Sequence, residues 1–566
     1  MKDETKNMIL LVLIVVGVMT GWHYIYEKPQ VEAIQAGQKT AKVEAPVAPV
    51  LPVAAEVKPL SRTDAVQQAE RVKISSPTVA GSINPKGAIL DDLILKGYKQ
   101  TVDPKSPNIE LLSPEGTENA YNIQFDWVSQ DKDVILPDNN TVWKASGTEM
   151  SPDKPVTFTW NNDHSLQFEK TFAVDKDYLF TVTQKVTNNS NKTIKLYPMA
   201  KIRRVGTPKT SGYMVVHEGP IGYMNNKLEE ETYEKLKEKK QIRYQSKGGW
   251  IGITDQFWLT AFVPKQDQNY EFFENYIPAA GVTKEAYETG YFADAIELKP
   301  GESRELANPV FAGAKVLDML DAYEFELKVE HLDKAVDFGW FYFITKPLFY
   351  LMQWLHNLVG NFGVAILIIT ILVRLAFFPL ANKSFKSMAR MKQLQPKMEQ
   401  IKEQYGDDKM RMNQEMMELY KREKVNPLGG CLPMLVQIPV FFALYKVLFV
   451  SIEMRHAPFF GWIHDLSAPD PTSVFNLFGL IPWDPPAMLM IGVWPLIMGG
   501  TMVLQQKLNP APADPVQAKM FMIMPIMFTY LFASFPAGLV IYWAWGNILS
   551  IAQQYVIMQA VNKSGA

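Results

Sequence analysis

Two side chains within the apolar run Asn361–Leu380 can do polar chemistry, Thr370 and Arg374. They stand four residues apart, so on a helix they share a face. A guanidinium attracts and hydrates acidic or polar groups, and a hydroxyl both donates and accepts. A charge inside hydrocarbon is costly unless it faces protein or water, or snorkels to an interface. Gln437 interrupts a second apolar run, Leu432–Val450, where it could help line a wet cavity, and Tyr542, Trp545 and Leu549 form a stripe on a third, Gly538–Ile557. No nucleophile stands beside a base here. These residues can supply a hydrated lining inside an otherwise apolar bundle.

Methionine forms the second pattern. Met388, Met391, Leu394 and Met398 recur every three or four residues, as do Met412, Met416 and Leu419, with Met410 and Met417 beside them. One reading is the seam between two helices. The other is a soft apolar surface, since the unbranched thioether adapts to irregular partners. On that second reading Met388, Met391, Met398, Met416 and Met417 are the contact residues.

Other chemistry is absent from the pattern. There is no HExxH, GxSxG or P-loop signature. His164, His217 and His331 read as isolated, and Asp294 and Glu297 as solvated strand or turn carboxylates. The single cysteine, Cys431, permits no intramolecular disulfide and reads as structural. We therefore expect no enzyme activity, no cofactor and no metal. A net charge of −2 argues against a nucleic-acid partner.

The elements that must position these residues follow from hydropathy and charge. Residues 7–26 form an apolar segment that is either a cleaved signal peptide or a retained anchor; the bulky Trp22-His23-Tyr24 after its core favours retention. A linker rich in Pro and Ala follows over 27–59. From 60 to 330 short alternating segments separated by turns predict an all-β antiparallel sandwich, with helix only near Lys227–Lys240 and Pro309–Leu320. Residues 337–358, aromatic and broken by Lys346-Pro347, read as an interfacial amphipathic helix held by Trp340, Tyr342, Phe349 and Trp354; a true span is the alternative.

Transmembrane helices are then expected at 361–380, 431–450, 487–504, 520–535 and 538–557, which with 7–26 makes six. Residues 381–430 read as a helical hairpin, Ser384–Tyr405 and Asp408–Lys424, with eleven Lys and Arg against seven acids, whereas Ser451–Asp484 has Arg455 alone as a strong base. That contrast places the hairpin, the link 505–519 and the tail 558–566 in the cytoplasm. The loop 451–486 and the β-domain are then outside. The fold class is an α-helical polytopic membrane protein with an exported all-β domain. Lys446 falls near the outer end of its span and can snorkel.

The runs LIITILVRLAFFPL, SFKSMARMKQLQPKM, NPLGGCLPMLVQIPVFFALYKVL and FPAGLVIYWAWGNILSIAQQ, in that order, resemble the YidC/Oxa/Alb family of membrane protein insertases in its Gram-negative form. The resemblance covers most of Gly339–Ala560. It implies an inner-membrane insertase and chaperone with a hydrophilic groove open to cytoplasm and lipid. In that groove Arg374 is the positive residue, while Thr370 and Tyr542 meet the substrate's transmembrane segment. It implies nascent inner-membrane proteins as substrates, the Sec translocon as an optional partner, ribosome or signal recognition targeting factors at the cytoplasmic loops, and lipid contact. The short tail, with Lys563 as its only base, lacks the long basic extension that some members use for ribosome contact. A transporter or flippase would need repeated intramembrane charges or internal repeats, which are not visible. A scaffold centred on the exported domain is the other rival reading.

Overall fold

The structure, a computed structural model, describes residues 59–564 apart from 163–165, 211–215, 281–283, 407, 424, 426–431, 484, 487–488 and 510–514. The expected anchor 7–26, nearly all of the linker 27–59, His164 and Cys431 lie outside the described residues.

Residues from Val72 to Ala314 form a β-sandwich of one 11-stranded and one 9-stranded sheet. Period-2 alternation drives it. Along Leu166–Val174 every second side chain is buried, and the strand pairs antiparallel with Leu179–Asn188, Phe168 opposite Val186. Phe125, Phe158, Phe172 and Phe262 close the core edge to face. Two helical expectations shift. Lys227–Glu230 is a strand, and helix begins only at Tyr233, after Thr232 caps it. Pro309 lies within the strand Ser303–Ala314, and the helix near it is Leu317–Leu327.

The helices are α1 (Arg62–Gln67), α2 (Tyr233–Lys239), α3 (Leu317–Leu327), α4 (Tyr342–Val359), α5 (Phe362–Ala376), α6 (Phe378–Tyr405), α7 (Lys409–Arg422), α8 (Leu432–Val450), α9 (Val493–Leu508), α10 (Pro515–Phe532) and α11 (Ala537–Ser564). On α4, Thr345, Leu348, Met352 and Leu355 recur at helical spacing on the buried face, while Trp340 just before it and Phe343, Trp354 and Leu358 are exposed. Two of the four expected interfacial anchors face inward instead. Phe349 is in the core, and the Tyr342 hydroxyl bonds to the Asp333 carboxylate.

The expected continuous span 361–380 is broken. Asn361 caps α5, its side chain accepting from Val364 N at 3.1 Å, but the helix stops at Ala376 and α6 leaves at 70°. Pro379 explains the break. It has no N–H to give to the carbonyl four residues back, and its ring crowds that carbonyl, so α5 cannot continue through it and it sits in the first turn of the new helix. The hairpin's first helix accordingly starts at Phe378, not Ser384. The fourth expected span is displaced too, with α9 starting at Val493 and running on to Leu508. Among the described residues no single helix is long and apolar enough to cross a bilayer. The bent pair Phe362–Ala376 and Phe378–Gln393 qualifies together, and Gln437–Val450 and Lys519–Phe532 are shorter apolar helices.

The β-domain carries an electrostatic liability at Glu274. Glu274 is fully buried on the strand Asn269–Ile277, and neither carboxylate oxygen has a hydrogen-bond partner. Burial, with Glu231 and Glu229 nearby, pushes it up to about 8. The folded domain thus holds a proton there that the unfolded chain releases from about pH 4.5 upward, so stability falls as pH rises through that window. Glu274→Gln should flatten this dependence and gain roughly 2 kcal/mol near pH 8. Calorimetric unfolding of the wild type and the variant across that range checks it.

Candidate functional site

The last turn of α5 packs on the middle of α11. The point of contact is Gly546. Its carbonyl accepts a bond of 3.0 Å from Arg374 Nη2 and one of 2.9 Å from Ser550 Oγ. Without a side chain at 546 the two backbones come close. A Cβ there would lie 3.4 Å from Arg374 Nη2 and 3.9 Å from the Thr370 methyl. The guanidinium therefore turns into the bundle and not along α5 toward an interface, as snorkelling would require.

Thr370 is nearly fully buried, and its hydroxyl donates to Ile366 O on its own helix at 2.7 Å. It shares the Arg374 face, as its spacing predicts, but offers a methyl group there, its hydroxyl being used locally. Gln437, half-buried on α8, donates to the Tyr542 hydroxyl on α11. Tyr542 and Gly546 are one turn apart, so α11 carries both polar contacts on one side. Trp545 is partly exposed, and its indole N–H is buried without a hydrogen-bond partner. The five residues thus lie on three helices that meet at α11: α5 through Arg374, α8 through Gln437, and α11 itself.

Sequence reasoning missed the polar rungs that hold α9 to α11. Asn547 Nδ2 donates to Thr501 Oγ1 at 3.1 Å, and Gln554 Nε2 to Asn509 Oδ1 at 3.0 Å. The seven-residue spacing of Asn547 and Gln554, two helical turns, was the available signal. It is weak because it consists of two positions only and its partners, Thr501 and Asn509, lie on another helix.

The methionines divide. Met391, Met398 and Met416 pack with Leu394, Leu419 and Val425 in the seam between α6 and α7. Met388 packs with Ala381, Phe385 and Ile557 against the end of α11. Only Met417, with Met410, presents its side chain outward. Of the five expected contact residues Met398 is core, and Met388, Met391 and Met416 are partly buried against it or its neighbour cluster, because helical spacing of three and four that builds a binding face builds a seam equally well. Met398→Glu should unfold the hairpin, visible as rapid protease cleavage within 381–430. Met417→Glu should leave the cleavage pattern unchanged.

His331 is not isolated. Ligand-capable atoms of Glu324, His331 and Asp333 lie within 4.8 Å of one another. Asp333 is already held by the Lys346 ammonium and the Tyr342 hydroxyl, which gives the cluster a structural role between α3 and α4.

The family model described as 60Kd inner membrane protein matches residues 354–564, and the YidC periplasmic domain model matches residues 71–351. A membrane protein insertase YidC from Rickettsia bellii is 46% identical over 564 residues, covering 98% of this chain and 99% of its own length. One from Brucella suis is 52% identical over 509 residues, covering 88% of this chain and 82% of its own. The chain belongs to the YidC family of membrane protein insertases. A solved structure of an active YidC insertase with its first transmembrane domain resolved aligns at a TM-score of 0.37 and 18% identity, covering 87% of this chain and 93% of that one. The boundary between the two matched YidC family models falls inside α4, so α4 is where the β-domain hands over to the helical part.

Proposed function

We propose that the chain inserts and folds inner-membrane proteins through a hydrated groove formed where α5, α8 and α11 meet. The supporting observation is the bond from Arg374 to the Gly546 carbonyl, which keeps a permanent cation inside an apolar bundle. A substrate's acidic or polar segment can draw on that charge while its apolar segment moves into lipid. No bond is broken, so neither nucleophile nor cofactor is required. Gln437 and Tyr542 furnish polar groups beside the Arg374 contact on α11, and Trp545 lines the same helix with its indole N–H buried. Thr370 contributes shape. Met417 remains the one hairpin methionine of the expected set suited to contact with substrate, ribosome or signal recognition targeting factors. Family resemblance supports the Sec translocon as a partner.

The arrangement in the membrane is six spans, with 7–26 as the first, both termini cytoplasmic and the β-domain periplasmic. The basic hairpin against the base-poor loop after α8 supports this orientation. Residues 361–380, made of α5 and the first turn of α6, supply the second span.

Reconstitution of the full chain alone in liposomes tests the reading. A small single-span substrate should become protected from external protease. Protection no greater than in empty liposomes would overturn autonomous insertion. Removal of residues 60–330 should leave insertion largely intact, and its loss would favour the scaffold reading instead.

A further inference from the structure

The loop between α8 and α9 carries a compact apolar surface that nothing in the insertion reading uses. Phe475, Leu477, Phe478, Leu480, Ile481 and Trp483 are all exposed, Leu480 at 83%. No charged residue occurs from Pro471 to Trp483. The segment is a built structure. Ser473 is fully buried and its hydroxyl donates to Leu489 O at 2.8 Å. Val474 N donates to Ile491 O at 3.1 Å, Phe478 N to Ser473 O at 2.8 Å, and Ile481 N to Asn476 O at 3.0 Å. Leu477 and Phe478 are both held left-handed, at φ 49° and 59°. Apolar side chains other than glycine rarely take that conformation, which here turns both side chains outward.

The position of the loop says what covers it. Gln256 of the β-domain donates to Phe449 O at the end of α8 at 2.8 Å, and Arg455 donates to Gln100 O at 3.2 Å. The loop therefore leaves α8 on the β-domain side and returns directly into α9 through Gly492. Backbone groups at lipid depth must be satisfied from within, and the turn meets much of that demand with its own hydrogen bonds. Low charge and aromatic content suit the boundary between acyl chains and headgroups.

We propose that Phe475–Trp483 is a membrane anchor seated in the acyl–headgroup boundary of the leaflet on the β-domain side. It goes beyond the insertion reading, but it rests on α9 crossing the bilayer. The anchor fixes the depth of the outer ends of α8 and α9 independently of α4.

The test uses the full chain in phosphatidylcholine vesicles, with Cys431→Ser and a bimane label at a single introduced cysteine. Leu480→Cys should be quenched by lipid brominated near the headgroup, and little by aqueous iodide. Val102→Cys, on the exposed β-domain surface, should show the reverse. Ile497→Cys on α9 should respond to lipid brominated along the chain. Iodide quenching at 480 equal to that at 102 overturns the anchor. A label at 480 shielded from both reagents overturns it as well, because the loop then packs on protein. Lipid quenching at 497 without quenching at 480 overturns the anchor alone. If 497 resists every brominated lipid, the spanning of α9 fails and the anchor falls with it.

Discussion

Arg374→Ala is expected to reduce insertion of substrates with acidic or polar translocated segments by roughly ten- to a hundred-fold. A hydrogen bond to a charged group is worth about 1.5–3 kcal/mol, and each ~1.4 kcal/mol is ten-fold. Arg374→Lys should be much milder, since the charge stays in place. It will not equal wild type. Arginine can hold the Gly546 carbonyl with one nitrogen and still present its remaining donors, whereas an ammonium at the end of a flexible stem must divide its donors without the planar fork. Substrates whose translocated segment carries neither acidic nor polar residues provide the control. They should insert nearly as well with alanine at 374 if the residue acts on substrate. A loss across all substrates, with a lowered unfolding temperature, would mean that Arg374 only joins α5 to α11. Protease protection of two substrates differing in one acidic residue separates these outcomes. Equal insertion of the acidic substrate by the alanine variant and wild type would remove Arg374 from the mechanism.

The sandwich was legible because strand patterning is local. Leu166–Val174 alternates in the sequence and alternates in burial. The shift of helix from Lys227 to Tyr233 was less legible, because Lys227–Glu230 reads as helix-compatible and becomes strand only by pairing with Gly219–Met224. Long-range pairing overrides weak propensity. In the helical part the apolar runs were legible, and their ends were not. Hydropathy continues smoothly through Phe377, Phe378 and Leu380, so nothing apolar marks the 70° break there; Pro379 was the local signal.

The candidate site divides in the same way. Arg374 stands out because a charge in an apolar run is conspicuous. Its partner is a backbone carbonyl at a glycine, which no side-chain pattern displays. Thr370 was placed on the correct face by spacing alone, but spacing cannot show that its hydroxyl is spent on Ile366 O. Lys446 was read as snorkelling. It instead pairs with Asp337 Oδ1 at 2.8 Å, an acid just beyond the β-domain and more than a hundred residues earlier in sequence. Such pairs form where the two parts of the chain meet, and neither part's own pattern contains them.

The second large effect is expected at Asp470, which no motif marks. It is almost fully buried in the loop between α8 and α9. One carboxylate oxygen accepts from Trp462 Nε1 at 3.1 Å, Thr472 N at 3.0 Å and Thr472 Oγ1 at 2.7 Å. The other accepts from Trp494 N at 2.9 Å in the first turn of α9, where the helix dipole favours an anion. Glycine at 492 makes the approach possible, since a Cβ there would lie 2.5 Å from the Asp470 carboxyl carbon. Asp470→Ala strands several donors at once and should cost about 3 kcal/mol, from the lost cap and the unsatisfied groups. Asp470→Asn keeps one acceptor but sets an amide N–H against another donor, so it should cost less. Unfolding in detergent, followed by tryptophan fluorescence, measures both; an alanine variant as stable as wild type would falsify the assignment. The effect should reach the candidate site. Two residues before Asp470, Ala468 O accepts from Ala537 N at the start of α11, and Phe459 packs where a Cβ on Gly363 of α5 would stand. Asp470 therefore holds the loop that positions the ends of α5, α9 and α11 together. Loosening it should weaken the register of Arg374 against Gly546 and lower insertion of acidic substrates more than of apolar ones, even though Asp470 itself never touches a substrate.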